Sequence, residues 1–284
     1  GLDLGSRTGE SVTLRSEFHF LNGIVDTNAL TASRLDVSQA AMDDVLSDAQ
    51  DFLRTLVALR EDGGSSDIVK ADAVGNLELL TSRLNTQLNG SFVFAGINSD
   101  QEPLADYADA ASANKIAADA AFLTEFGIAQ GNPAVAAITP AAMDTYLNGA
   151  FDAMFQDPAW GTTWSSASDS VMVSRISASE TVKSSVSANE QAFRDLAAAY
   201  TMMSDLGNEN LDAGTWKVVV NKAIEKLGSG IAGVTSQMGQ LGNVQEQVKL
   251  ASERLKVQTD ILNSRINDLE TVDLEETSVR LNTA

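Results

Sequence analysis

Gly228-Ser229-Gly230-Ile231-Ala232-Gly233 has the spacing of the glycine-rich dinucleotide fingerprint. That fingerprint works where it follows a strand and opens a helix, so that free backbone N–H groups meet a pyrophosphate. Here Leu227 and Ile231 are steps in a longer apolar repeat and no strand precedes them. The glycines are therefore expected to allow a close helix contact or a bend, not to bind a nucleotide. His19 is the single histidine, set between Phe18 and Phe20. With no cysteine, a zinc site lacks a second ligand, and no acid or serine can be placed beside His19 to build a triad. It is expected to be a packed side chain. Asp205, Asn208, Glu209, Asn210 and Asp212 form an acidic loop whose spacing does not match the twelve-residue calcium loop; loop and helix-capping roles are expected. Asp268, Glu270, Asp273, Glu275 and Glu276 read as a solvated helix face. Asn89-Gly90-Ser91 is a formal glycosylation sequon. Nothing assembles a nucleophile, a base and an oxyanion site. The expectation is no enzyme, no cofactor and no metal.

Composition narrows the partners. The 284 residues are 44% apolar and 20% charged, and 39 acids against 19 bases give a formal charge of -20. Such a surface repels phosphate backbones, which argues against nucleic acid and anionic membranes. No run approaches the ~18 apolar residues that would span a bilayer. Without cysteine there are no disulfides, so stability must come from packing or from assembly with neighbours.

Two long helical patterns carry most of the chain. From about Asp26 to Glu61, Leu35, Met42, Ala49 and Leu56 recur every seven residues, with Val45, Phe52 and Leu59 interleaved. Gly63-Gly64 should end that helix, and Ser65 or Ser66 should cap a second one carrying Ile68, Ala71, Val74, Leu77, Leu80, Leu84 and Leu88. Near the other end, a seam steps through Val220, Ile224, Leu227, Ile231, Val234, Met238, Leu241, Val248, Leu255, Leu262, Ile266 and Leu269, interrupted by Gln245, Ser252 and Thr259. A repeat held this long must be covered by a partner helix. The polar interruptions either fix register or face a wetter stretch. Ser187-Ala188-Asn189-Glu190 fits a capping box before a shorter helix with Phe193, Leu196, Ala197, Tyr200 and Met203. The loop Gly207 to Gly214 leads into the long helix at about Thr215.

The middle differs. All four prolines (Pro103, Pro133, Pro140, Pro158) lie there with Trp160 and Trp164, and residues 97–174 hold ten acids and one base, Lys115. Short helices are predicted at Ala113 to Phe126 and Pro140 to Phe155, the latter capped by Thr139. Ser91 to Gly96 and Ser170 to Ser187 alternate like strands, placing Phe92 with Phe94 and Val171 with Val173. The predicted fold class is mainly α: a long helical arrangement from both ends of the chain (1–96 plus 176–284), coiled-coil-like, with a small α+β domain inserted at 97–175.

That layout resembles the flagellin superfamily, whose N- and C-terminal arms pair into an antiparallel rod around a variable middle. Leu80 to Tyr107 is similar to the hook-filament junction family (hook-associated protein 3), in which a helix rich in Leu and Asn runs into a G-x-(F/Y)-x-F-A-G hairpin; here Gly90, Phe92, Phe94, Ala95 and Gly96 fill that pattern. Gly1 to Thr13 and Leu21 to Leu35 resemble the start of the alphaproteobacterial members. Ser252 to Leu281, with Arg254, Arg265, Arg280 and Leu269-Glu270-Thr271-Val272-Asp273, resembles the approach to their C-terminal helix. The resemblance implies a mechanical subunit of the bacterial flagellum, exported by the flagellar type III system without a cleaved signal peptide. Its implied partners are copies of itself, hook-associated protein 1 and flagellin, with an export chaperone possible. The alternatives are flagellin or a minor flagellin, or a cell-surface homologue binding a carbohydrate or cation. A deep aromatic cleft around Trp160 and Trp164 would favour the last. The chain opens Gly1-Leu2-Asp3-Leu4 and stops at Ala284 inside a helical pattern, so a core trimmed from a longer protein is expected.

Overall fold

The computed structural model describes residues 2–62 and 66–282, with side chains described for 9–60 and 67–271. Gly63, Gly64 and Ser65 lie outside the described residues, as does the side chain of Ser66, whose backbone opens the next helix. The chain is mainly helical, with long helices at both ends that pack together and a small strand-containing region. It divides into two compact units: 1–35 with 173–184 and 242–284, and 36–172 with 185–241.

In the first unit, helix α1 (Leu2–Asp62) and helix α6 (Ala213–Asn282) run in opposite directions. Arg15 pairs with Glu270, and Asn28 Nδ2 donates to Ser252 Oγ at 3.2 Å. The core is Leu21 and Ile24 of α1 against Leu255 and Leu262 of α6, with Leu14, Phe18 and Val25 packed around them. Helix α1 starts at Leu2, many turns before the predicted Asp26. Its early apolar residues do not form one clean stripe, because Val12 (63% exposed) and Phe20 (50%) point away from the partner helix. The coverage by α6, not the periodicity, keeps this stretch helical. His19 is likewise exposed, edge-on to Phe18, and is not the packed residue expected. Strands β3 (Val173–Arg175) and β4 (Thr181–Lys183) form an antiparallel hairpin in the same unit. Asn28 Nδ2 also donates to Ile176 O at 3.0 Å, and Arg254 pairs with Glu180 at 2.8 Å, so both long helices hold this hairpin.

In the second unit, Leu35's successors on α1 behave as the heptads predict: Met42, Val45, Ala49, Phe52 and Leu56 are buried. Gln39 Nε2 donates to Met238 O of α6 at 3.4 Å. Helix α2 (Ser66–Leu84) packs on α5 (Gln191–Asp205). Its buried row is Val69, Ala73, Leu77, Leu80 and Leu84, whereas Ile68 is 70% exposed. The predicted row through Ile68, Ala71 and Val74 is therefore one position out of phase, and Leu88 lies beyond the helix. Asn85 ends it: its side chain accepts from Leu104 N at 2.8 Å and donates to Leu104 O at 2.9 Å, taking the place of a backbone pair.

Strands β1 (Gln87–Leu88) and β2 (Ser91–Phe92) follow as a two-residue hairpin. Helix α3 (Ala113–Phe126) matches the predicted bounds and ends on Gly127 in the left-handed region. Thr139 caps α4 (Pro140–Tyr146), accepting from Ala142 N at 3.3 Å with Pro140 in the first turn. The predicted helix does not run on unchanged: a π-helical turn occupies Leu147–Phe151, and a second one Trp160–Trp164. These wider turns aim Phe151, Trp160 and Trp164 into one aromatic core with Phe155 and Tyr146.

Candidate functional site

No chemistry-bearing cluster was expected, so the positions of interest are the long seam, its glycines and the hairpin motif. In the second unit Val220, Leu227, Val234 and Leu241 are buried, and Ile224, Ile231 and Met238 are half-buried. In the first unit Val248, Leu255, Leu262 and Ile266 are buried and Leu269 is half-buried. Two of the polar interruptions, Ser252 and Thr259, are satisfied within the fold. Ser252 Oγ donates to Val248 O at 2.8 Å while accepting from Asn28, and Thr259 Oγ1 donates to Lys256 O at 2.8 Å.

The glycine motif lies inside α6, where its N–H groups belong to the helical ladder and cannot cradle phosphate. A Cβ on Gly230 would fall 2.5 Å from Leu196 Cδ2, and one on Gly233 2.6 Å from Ala192 Cβ. Gly228 meets nothing within 4 Å. Two of the three glycines thus let α5 and α6 approach more closely than any side chain would permit.

Charged anchors flank this contact. Lys226 Nζ donates to Asp195 Oδ1 of α5 at 3.0 Å and to Asp152 Oδ1 of the middle region at 2.8 Å. Burial alone would lower the Lys226 pKa, but hydrogen bonds and charge from the two carboxylates outweigh it and hold the ammonium above its ordinary value. Arg194, buried on α5, donates to Asn189 O at 2.7 Å and through both terminal nitrogens to Asp157 Oδ2 at 3.1 Å. Its guanidinium lies 5.4 Å from the Trp160 ring centroid. Sequence reading missed both anchors. Their carboxylate partners are 31 to 74 positions away, and nothing in local spacing marks them.

The capping box does not form. Glu190 occupies the N-cap of α5 and makes no side-chain cap. Ser187 instead pairs with Ala95 in an isolated bridge, and its hydroxyl donates to Ser168 O at 2.8 Å. Because the backbone at Ser187 is already extended and bridged, the helix cannot begin there. The acidic loop does cap: Asn208 Nδ2 donates to Met202 O and Met203 O at the end of α5, and Asp212 accepts from Gly214 N and Thr215 N ahead of α6. Among the described residues no group of three or more His, Asp or Glu is placed to hold a metal ion.

The hairpin motif departs from strict alternation. Asn89 and Gly90 form the tip with positive φ, 52° and 80°. Phe92 is half-buried, but Val93, Phe94, Ala95 and Gly96 are all buried in succession. The pairing ladder ends at Phe92 and the chain plunges into the core. There Phe94 O accepts from Ala188 N at 2.8 Å and its ring meets Phe193 edge-on at 5.9 Å. Gly96 adopts φ 62°, and a Cβ would fall 2.4 Å from Ser168 O. Only glycine fits.

The tryptophans do not line a cleft. Trp160 (0% exposed) and Trp164 (2%) stack at 5.5 Å, with Tyr107 stacked on Trp164 at 5.2 Å. Asn189 Oδ1 accepts from Trp160 Nε1 at 2.9 Å and Ser165 Oγ at 2.6 Å. A nearby cavity of about 240 Å³ is bounded by Lys70, Val74, Leu77, Tyr107, Lys115 and Asp205. Its two lysines are already engaged, Lys70 by Glu209 and Lys115 by Asp205, each at 3.0 Å.

The bacterial flagellin N-terminal helical region matches residues 1–99 and its C-terminal helical region matches 224–284, together more than half of the chain. The chain belongs to the flagellin superfamily. No curated protein matches it in sequence. Among solved structures, a chain described as a flagellar hook-associated protein from Vibrio parahaemolyticus has a similar fold, with a TM-score of 0.61 at 11% identity. The similarity covers 91% of this chain and 95% of that one. A flagellin-superfamily subunit is a structural protein of the bacterial flagellum, an extracellular appendage, and its relatives assemble into polymers. Among the described residues no helix is long and apolar enough to cross a membrane.

Proposed function

We propose that this chain is a structural subunit of the junction between flagellar hook and filament, of the hook-associated protein 3 type. The observation that carries the reading is the seating of the Gly90–Gly96 motif: each family position has a distinct structural task, from the turn at Gly90 to the close approach at Gly96. A fold shared over nearly the whole length with a protein described as hook-associated supports it further. On this reading 1–96 and 176–284 form the shared helical part, and 97–175 is the inserted domain. The partners are copies of the chain, hook-associated protein 1 and flagellin, with an export chaperone before secretion through the flagellar type III route. Flagellin proper is the competing assignment. The burial of Trp160 and Trp164 weighs against an aromatic carbohydrate site. Immunogold labelling of purified flagella tests the proposal. Label confined to the hook–filament boundary supports it, whereas label along the filament assigns the chain to flagellin.

A further inference from the structure

Asn-Gly occurs three times in the chain, at Asn22-Gly23, Asn89-Gly90 and Asn148-Gly149. In such a pair the side-chain carboxamide is open to attack by the following backbone nitrogen, because glycine has no Cβ to shield it. Backbone conformation decides whether the attack can occur. Gly23 lies in the interior of α1 and Gly149 in the π-helical turn that continues α4, where the peptide is fixed by the helical ladder. Asn148 is further restrained, its Nδ2 donating to Asp144 O at 2.9 Å and to Asp144 Oδ1 at 3.2 Å. Asn22 is half-buried on α1.

Asn89 is placed differently. It and Gly90 are exposed at the tip of a two-residue turn; two residue pairs, Gln87 with Phe92 and Leu88 with Ser91, and one backbone hydrogen bond from Val93 N to Thr86 O close the hairpin beneath them. A Cβ at Gly23, Gly90 or Gly149 alike would meet nothing within 4 Å, so it is backbone restraint and not crowding that separates the three pairs. A ladder this short opens locally far more readily than the middle of a long helix.

We propose that Asn89 is a site of spontaneous, backbone-mediated deamidation, and that the fold protects the other two Asn-Gly pairs. The Gly90 amide nitrogen, having given its proton to solvent, attacks Asn89 Cγ. A new C–N bond forms, the Cγ–Nδ2 bond breaks, and ammonia leaves to give a cyclic succinimide. Water then opens the ring at either carbonyl, yielding isoaspartate or aspartate; no redox partner is required. Isoaspartate routes the main chain through Cβ, lengthening a turn whose two residues set the hairpin register, and both products add a negative charge. The damage stays local, because Phe94 and Ala95 are held from the other side by Ala188 N and Ser168 N.

Peptide mapping of the intact chain after incubation in mildly alkaline buffer tests this. In the folded protein the peptide bearing Asn89 should accumulate isoaspartate and aspartate at least about tenfold faster than those bearing Asn22 or Asn148, reflecting the difference in local opening. In concentrated urea the three sites should react at comparable rates, and Asn89→Gln should abolish product at that peptide alone. Equal protection of all three sites in the folded protein, or faster reaction at Asn22 or Asn148, would overturn the proposal.

Discussion

Gly230 lies against Leu196 with no room for a methyl group: a Cβ there would also come 2.7 Å from Leu196 Cγ and 3.0 Å from Ala192 O. Alanine normally stabilises a helix relative to glycine, so the sign of the substitution reports the contact. Gly230→Ala and Gly233→Ala are expected to destabilise the protein by about 1–3 kcal/mol through overpacking against α5. Gly228→Ala, which meets open space, is expected to stabilise it by about 0.5–1 kcal/mol. Urea midpoints of the three variants decide the matter; a shift of all three in one direction would show that α5 and α6 are not in close contact there.

The same geometry denies the motif a nucleotide. Titration with millimolar NAD or ATP should give no saturable heat in the calorimeter, and saturable binding lost on Gly230→Ala would contradict the helical assignment of the motif.

How much of this was legible depended on whether the signal was periodic. Met42, Ala49 and Leu56 repeat every seven residues, and the helix they predict exists because that repeat places them on one buried face. The first turns of α1 carried no such stripe, since Val12 and Phe20 face away from α6, and that portion was missed. The π-helical turns at Leu147–Phe151 and Trp160–Trp164 are tertiary accommodations to aromatic packing and have no local signature. The glycine motif predicts either a close helix contact or a bend; that Gly230 and Gly233 make the contact, with Leu196 and Ala192, and that Gly228 does not, required the fold. Arg194 and Lys226, the charged residues that hold the middle region to α5 and α6, stood out in no pattern at all.

Alkaline pH should loosen the second unit. Lys226 is raised by Asp152 and Asp195 against the effect of burial, and Tyr107, Tyr146 and Tyr200 are raised chiefly by burial. A group whose pKa is higher folded than unfolded contributes stability in full below its unfolded value, near pH ~10 for Lys and Tyr, and loses it as pH rises through the folded value. Urea midpoints should therefore fall above about pH 10. The fall should be shallower in Lys226→Met, which starts less stable at neutral pH; an unchanged slope would remove Lys226 from the explanation.

Asn189 holds two buried donors at once, Trp160 Nε1 and Ser165 Oγ. Asn189→Ala strands both and is expected to cost about 2–3 kcal/mol, seen as a lowered Tm. A change within about 0.5 kcal/mol would mean that water replaces the carboxamide without penalty.

Leu241→Asp and Leu255→Asp place a carboxylate in the buried seam of the second and first units respectively. Each should cost several kcal/mol, about 3 or more, because the charge has no partner. Circular dichroism melts that match the parent protein would show that the seam at that point faces water.

The core of the first unit joins the two extremities of the chain: Asn28 meets Ser252 across 224 positions, and Arg15 meets Glu270 across 255. Contacts of such sequence separation form late, because the intervening chain must first be gathered. A polypeptide delivered one end first therefore leaves Leu21 and Ile24 bare until Leu255 and Leu262 have arrived. Closing of that unit waits on the stretch of α6 that carries Leu255 and Leu262.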